Sequence, residues 1–337
     1  MTILIVTSLE DVHADAVIAE LIRRGRGDDV VRLNTEDFGR VGEYRLTGGN
    51  RWDGMIELHD SGRALRWSDV RSVWYRKPKP VQPHPRLALE ASQTFAVDEY
   101  AMLLRSIYGL LADRFWMSGY WALQRAGQKL PNLNLAARLG LRVPRTLVTN
   151  DIEALRSFCH ECEWSVIAKP FALTSFEVPD TVGSWASYAS KFDQPMLAAG
   201  ESGVSLAPVF LQQYIEKNLE LRVTVIGRHV FAVAIDSQSV LGATEDWRAV
   251  NAEEIPHERH QLPFEIESAL LDFNKAYGLE FSTFDLILDK SGQYVFLECN
   301  PNGQWYWLET LTGLELASAI SDTLMWPSDN SLSAVTR

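Results

Sequence analysis

The chain has 337 residues, enough for two or three lobes, and its 46% hydrophobic and 23% charged content is that of an ordinary soluble globular protein. A formal net charge of −12 argues against a general nucleic-acid binder, which works by neutralising phosphates. The three cysteines make no disulfide framework, no run of about 18 apolar residues is present and the N-terminus has no signal-peptide pattern, so a cytoplasmic protein without a membrane partner is expected.

Thr2–Thr7 reads as a buried parallel strand, and Asp11–Arg24 as a helix with Ala14, Val17, Ile18, Leu21 and Ile22 on one face. Gly25 and Gly27 stop it, and Val30–Leu33 is the next strand. This β-α-β start lacks GxGxxG, and Ser8–Asp11 is no phosphate loop, so the lobe is α/β without an assigned cofactor. Tyr44–Leu46, Gly54–Leu58 and Val70–Tyr75 are short strands. The last leads into Arg76-Lys77-Pro78, read either as a solvated basic turn or as a surface for an acidic partner. Leu87–Ala112 is a long helix, and Trp116–Trp121 is a linker at a lobe boundary.

Asn132–Leu139 is a helix ended by Gly140, Thr146–Val148 a strand, and Ile152–Phe158 a helix capped by Asp151. Cys159 and Cys162 have CxxC spacing but no second pair, so a helix end is the better reading than a zinc site. Strand Ser165–Ala168 ends in Lys169, before the flexible-looking Ala172–Ser175. A point charge on a rigid element beside free N–H groups and hydroxyls is what phosphate binding wants, although a surface lysine is commoner. Val209–Ile215 is a strand ending in Glu216-Lys217. Leu219–Ile226 and His229–Ile235 form a hairpin about Gly227-Arg228, with Glu220 and Arg222 on one face. Ser237–Gln261 has no clear period and reads as a functional or mobile loop. Phe264–Tyr277 and Gly313–Leu324 are helices, and Pro327–Arg337 is a frayed tail.

The most informative stretch is Phe281–Glu309. Two apolar runs flank Asp289–Gly292, which reads as a β-hairpin. A two-residue turn at Lys290-Ser291 sets Asp285 opposite Phe296; one at Ser291-Gly292 sets it opposite Glu298. Either register puts Asp285, Glu298 and Asn300 on one face. Two carboxylates on an apolar face repel unless a cation sits between them, and oxygen-only ligands suit Mg²⁺. The plain alternative is an edge hairpin whose polar face meets water. Asn302-Gly303 then turns the chain, and the aromatic run Trp305–Trp307 follows.

The order of these features, Lys129, Lys169, FLQQYIEK, Arg222 and then Asp285…Glu298-Cys299-Asn300, resembles the ATP-grasp fold over about residues 119–325. WYRKP, KLPNLNLAARLGLRVPRTLVTND, AKPF, QQYIEKNLELRVTVIG, EDWR and above all ECNPNGQWYWLE resemble the ATP-grasp ribosomal-peptide maturases, the microviridin-type macrocyclases or graspetide synthetases. Cys299 stands where family members usually carry an aliphatic residue. The resemblance implies an α/β and α+β ATP-grasp fold with an N-terminal pre-ATP-grasp α/β lobe. It places that lobe at 1–118, a central lobe at 119–208 and a C-terminal lobe with the metal site at 209–337.

It further implies that ATP activates a side-chain carboxylate of a precursor peptide as an acyl phosphate, and that a Ser or Thr hydroxyl or a Lys amine of the same peptide attacks. Lys129 and Lys169 would meet phosphates; Gln213 and Ile215 the adenine, through backbone groups; Glu216 the ribose. Asp285, Glu298 and Asn300 would hold Mg²⁺. Arg222 and Arg248 would steady the carboxylate or acyl phosphate, and Asp246 would orient Arg248 or help deprotonate the nucleophile. The surface near Trp74–Lys77, with the long helix, would meet the leader peptide, and a homo-oligomer is favoured. A small-molecule amino-acid or dipeptide ligase of the same fold is the second reading, and a non-catalytic ATP-binding scaffold the third.

Overall fold

The computed structural model describes residues 2–40, 42–49, 52–58, 63–171, 175–177, 184–186, 189–244 and 247–332. The N-terminal part holds β1 (Thr2–Thr7), α1 (Val12–Arg23), β2 (Val30–Asn34), β3 (Gly42–Thr47), β4 (Asp53–Leu58), β5 (Arg63–Arg66), β6 (Val70–Tyr75), α2 (Glu90–Leu110) and β7 (Phe115–Trp116). Strands β2-β1-β6-β7 form a parallel sheet, and β3-β4-β5 a separate antiparallel one. Ile3 to Thr7 are buried without alternation, as a central parallel strand requires. The Asp11 carboxylate accepts from the His13 N–H and so caps α1.

α3 (Tyr120–Ala126) and α4 (Lys129–Arg138) follow at once. The stretch expected as a linker is therefore β7 and the start of α3, and Lys129 opens a helix rather than preceding one. Next come β8 (Thr146–Thr149), α5 (Ile152–Glu161), β9 (Val166–Ala168), the paired strands β10 (Ser175–Glu177) and β11 (Ser184–Ala186), β12 (Ser190–Phe192), α6 (Gln194–Val204) and β13 (Val209–Gln213). Strands β12-β9-β13-β8 are antiparallel neighbours. Cys159 and Cys162 are free thiols packed in the core beside this sheet, which bears out the helix-end reading.

β14 (Lys217–Ile226), β15 (His229–Ile235), β16 (His257–His260), α7 (Phe264–Tyr277), β17 (Phe281–Asp289) and β18 (Tyr294–Asn300) complete an antiparallel sheet in the order β16-β15-β14-β17-β18. β16 lies inside the aperiodic stretch expected as a loop. Its sequence, HERH, has no apolar face to announce a strand. The end of the chain holds α8 (Tyr306–Thr312), α9 (Leu316–Met325) and α10 (Pro327–Asn330). Gly313, at φ +66°, ends α8, so the helix expected over Gly313–Leu324 begins only at Leu316, as α9. The segment after Pro327 is bound as far as Leu332. Arg228 N–H donates to Asn330 O at 3.1 Å, Leu332 N–H donates to the Glu280 carboxylate at 2.7 Å, and a Cβ on Gly227 would lie 2.0 Å from Asn330 O. No helix among the described residues is long and apolar enough to cross a membrane.

α9 ties the two ends of the chain together. Leu316, Ile320 and Leu324 are fully buried between α1 and β6 on one side and Ile226, Val233 and Phe281 of the C-terminal sheet on the other. Each such side chain is worth about 1.5–3 kcal/mol relative to exposure. Ser72 Oγ on β6 donates to Leu324 O at 2.7 Å.

The β17–β18 register answers a question the sequence left open. Leu286 faces Phe296 and Leu288 faces Tyr294, which fits a three-residue loop, 290–292, with Gly292 at φ +78°. Continued unchanged, that register would put Asp285 opposite Leu297. An irregularity between Asp285 and Leu286 shifts it by one residue, so that Asp285 pairs with Glu298. The expected shared face is thus reached through a bulge, not a two-residue turn.

Asp289 fixes the loop. Its carboxylate accepts from Ser291 N at 2.9 Å, Ser291 Oγ at 2.7 Å, Gln293 N at 2.9 Å and Arg142 Nη1 at 2.7 Å. These bonds, the Ser291 hydroxyl and Gln293 N–H foremost, push its pKa down to about 2. Its stabilising effect is therefore complete above about pH 4, the unfolded value, and is lost as pH falls through about 2. Asp289→Asn is expected to lower the melting temperature at pH 7 and to flatten the acid limb of stability against pH. Thermal unfolding from pH 2 to pH 7 reads both.

Candidate active site

A cavity of about 250 Å³ opens between the central sheet and the C-terminal sheet. Eight residues singled out in the sequence line it: Lys129, Lys169, Gln213, Ile215, Arg248, Asp285, Glu298 and Asn300. Arg222 stands directly behind. Two do not join them. Glu216 points away, exposed, and pairs with Lys290 at 2.9 Å. Asp246 lies outside the described residues.

The wall opposite the carboxylates is cationic. Lys169 follows β9, and its N–H donates to Phe210 O at 3.0 Å, which anchors its backbone to β13. Lys129, at the start of α4, donates Nζ to Pro170 O. Arg248 enters from the short turn Trp247–Ala249. Burial lowers the pKa of both lysines. Glu298 opposes the fall, while Arg248 deepens it for both, and Lys129 does so for Lys169. Cations crowded against one another in a cleft form a site that gains from an anion.

Facing them, Arg222 and Asp285 are cross-strand partners on β14 and β17, with Nη1 to Oδ1 at 2.7 Å. The Asn300 amide donates 3.1 Å bonds to both Asp285 Oδ2 and Glu298 Oε1. Burial pushes Asp285 up to about 6; Arg222 pulls against this and the neighbouring Glu298 carboxylate adds to it. Burial works the same way on Glu298, but Lys169, Asn300 and Asp285 outweigh it and hold that carboxyl below its usual range. The two carboxylates thus resist ionising together, and a cation between them relieves this. Among the described residues no cluster of three or more His, Cys, Asp or Glu side chains suits a metal. Two carboxylates and an amide oxygen leave the rest of a shell to phosphate oxygens and water, which fits Mg²⁺.

At the other end, Gln213 and Ile215 line the wall, but the Gln213 N–H is committed to Arg145 O at 2.9 Å. Two residues not singled out for this site stand here. Lys217 is buried, and its Nζ donates to Glu220 Oε1 at 2.8 Å; Ser237 Oγ donates to the same oxygen at 2.7 Å. Glu220, not Glu216, is the carboxylate that lines this part of the cavity. A signal existed: Glu220 stands two residues before Arg222 on the same strand face. Trp247 also lines the cavity, with its ring centroid 5.0 Å from that of Trp307.

The Trp74–Lys77 segment corrects an expectation. Trp74 and Arg76 are buried, 1% and 0% exposed, so neither belongs to the solvated basic turn expected there, whereas Lys77 is exposed.

The chain is similar to known proteins along nearly its whole length. Residues 2–124 match the family model of the MvdD pre-ATP grasp domain. The macrocyclase MdnC of Microcystis aeruginosa MRC, crystallised with its precursor peptide MdnA, is 29% identical over 96% of this chain and 99% of its own, with a TM-score of 0.82. A RiPP-associated ATP-grasp ligase of Chryseobacterium gregarium, in complex with ADP and a leader and core peptide, is 26% identical over 96% and 97%, with a TM-score of 0.85. The macrocyclase MdnB of Microcystis aeruginosa MRC is 25% identical over 96% and 99%, with a TM-score of 0.76. No curated protein matches the sequence. With a match to the MvdD pre-ATP grasp domain over residues 2–124 and likeness to two macrocyclases and a RiPP-associated ATP-grasp ligase over 96% of its length, the chain is similar to the ATP-grasp ribosomal-peptide maturases at both ends.

Proposed function

We propose that the protein is an ATP-dependent macrocyclase of a ribosomally made precursor peptide, forming ester or amide links between side chains. The observation that carries this reading is the cavity in which Lys129, Lys169 and Arg248 face Asp285, Glu298 and Asn300, in a chain similar over 96% of its length to a macrocyclase and to a RiPP-associated ATP-grasp ligase, each with a bound peptide. A peptide Asp or Glu carboxylate takes the γ-phosphoryl group of ATP, releasing ADP. A hydroxyl or amine of the same peptide then attacks the acyl carbon, phosphate leaves, and the nucleophile gives up a proton.

The chain's own residues meet each demand. Lys129 and Lys169 neutralise phosphate oxygens, so that an anionic carboxylate can approach an anionic triphosphate. Arg248, at the mouth, presents a fork to the carboxylate or the acyl phosphate. Arg222 fixes Asp285. Glu220 and Lys217 border the nucleoside end, in the place expected of Glu216. When bound, Mg²⁺ held by Asp285, Glu298 and Asn300 spreads charge over the phosphoryl oxygens.

Mass spectrometry of a co-expressed precursor decides the matter: loss of one water mass per ring, dependent on ATP, is expected. ATP hydrolysis stimulated by a free amino acid, with the peptide unchanged, would favour the small-molecule ligase. D-cycloserine synthetase DcsG, at 15% identity and a TM-score of 0.57, shares the fold alone.

A further inference from the structure

Arg76 is a charged residue with no exposure at all, and it lies on the N-terminal sheet rather than in the ATP-grasp part of the chain. It follows β6, where its N–H donates to Val6 O at 2.9 Å. Its Nη1 donates to Asn302 O at 2.6 Å and lies 3.3 Å from Asn302 Oδ1. Asn302 returns a bond, Nδ2 to Tyr75 O, at 3.3 Å. Its counter-charge stands at the edge of ion-pair range, Asp11 Oδ2 lying 4.0 Å from Nε, and Nε and Nη2 have no hydrogen-bond partner among the described residues. Stability alone does not explain such a group, because a buried charge with an incomplete partner set costs several kcal/mol in desolvation.

What Arg76 grips does offer an explanation. Asn302 lies two residues beyond Asn300, and Gly303 N–H closes the turn onto Asn300 O at 3.1 Å. That turn packs so tightly that a Cβ on Gly303 would be 1.8 Å from Thr283 Oγ1 and 2.7 Å from Arg222 Nη2. Gln304 O accepts from Arg222 Nη2 at 3.1 Å, and Arg222 Nη1 holds Asp285 at 2.7 Å. His13 adds a second grip, its Nδ1 accepting from Tyr306 N at 3.2 Å. A continuous chain of contacts therefore runs from the N-terminal sheet through Arg76 and Asn302–Gln304 to Arg222 and the carboxylate pair.

We propose that Arg76 is a positioning residue for the metal end of the site, through which the N-terminal lobe fixes the 301–304 turn and with it Arg222 and Asp285. The inference rests on the ATP–Mg²⁺ reading of the cavity. Arg76→Met removes the buried charge and the bonds to Asn302 while filling the space. Calorimetric ADP titrations with excess Mg²⁺ and with EDTA, together with hydrogen exchange of residues 300–306 in the nucleotide-free protein, test it. The expected result is ADP affinity in EDTA within about twofold of wild type, an Mg²⁺-dependent gain cut by about tenfold, and faster exchange confined to that segment. An unchanged Mg²⁺-dependent gain, whatever happens to the melting temperature, overturns the proposal. Should Arg76→Met fail to fold, Arg76→Lys, which keeps a donor but not the fork, is read the same way and is expected to lose less. If wild type itself shows no Mg²⁺-dependent ADP binding, the reading of the cavity fails rather than the role of Arg76.

Discussion

Glu298→Gln is expected to cut ATP-dependent product formation by about 10²–10³-fold, the usual loss when one preorganised charge-stabilising group is removed from a water-poor site. Glutamine keeps the shape and can still accept from Asn300 Nδ2, which lies 3.1 Å from Glu298 Oε1. Only the charge goes. Its removal takes away the attraction that opposes the fall in pKa of Lys129 and Lys169. It also relieves Asp285 of a neighbouring carboxylate that raises its pKa. The fold should therefore survive, with a melting temperature near that of wild type, while turnover and the Mg²⁺ enhancement of nucleotide binding collapse. Product mass spectra, a thermal scan and ADP titrations separate these effects. Full turnover in the variant would remove Glu298 from the metal site.

Arg222→Ala should act on stability as well as on turnover. Asp285 is half-buried with Arg222 as its ion-pair partner at 2.7 Å, and since a fully buried carboxylate stripped of its partner costs about 3–5 kcal/mol, the loss here is expected at or below the low end of that range. The cost depends on pH, with a definite sign. Asp285 already sits at about 6 when folded, above its unfolded value, because burial outweighs the pull of Arg222. In wild type this group's contribution to stability accordingly falls as pH rises from about 4 to about 6, and then stays level. Without Arg222 the folded pKa climbs further. The variant's deficit relative to wild type should thus be small at pH 5, where Asp285 is protonated in the variant, and large at pH 8. Denaturant unfolding at the two pH values measures it. A deficit independent of pH would mean that Asp285 does not carry the charge Arg222 compensates. Arg222→Lys, which keeps a cation but cannot hold Asp285 and Gln304 O with one planar fork, should fall between.

The strand pattern carried much of this. Residues two apart on a strand share a face, so the sequence alone pairs Glu298 with Asn300, and Glu220 with Arg222. A lysine closing an apolar strand, as Lys169 closes β9, was equally legible. What the pattern could not give was a register, because one bulged residue between Asp285 and the loop changes which side chain faces it, and the cost of a bulge is set by neighbouring strands. Glu216, which the resemblance places at the ribose, is not on the cavity wall. It stands between β13 and β14, exposed, and pairs with Lys290 at 2.9 Å.

Composition, apolar periodicity and the ECNPNGQWYWLE segment by themselves determined that this is a mixed α/β chain with an acidic, amide-bearing hairpin able to hold a cation, and they located its lysines. Those features depend on residues near one another in the chain, or on one strand's alternation. Only the tertiary structure decided that Arg76, more than 220 residues away in sequence, grips Asn302. Only it decided that α9 seals the N-terminal sheet to the C-terminal one. Such contacts arise when distant segments bury a shared face, and no local pattern records which distant partner a buried charge will find. The hairpin carries Asp285, Glu298 and Asn300, and Arg76 from the other end of the chain hydrogen-bonds the turn beside them.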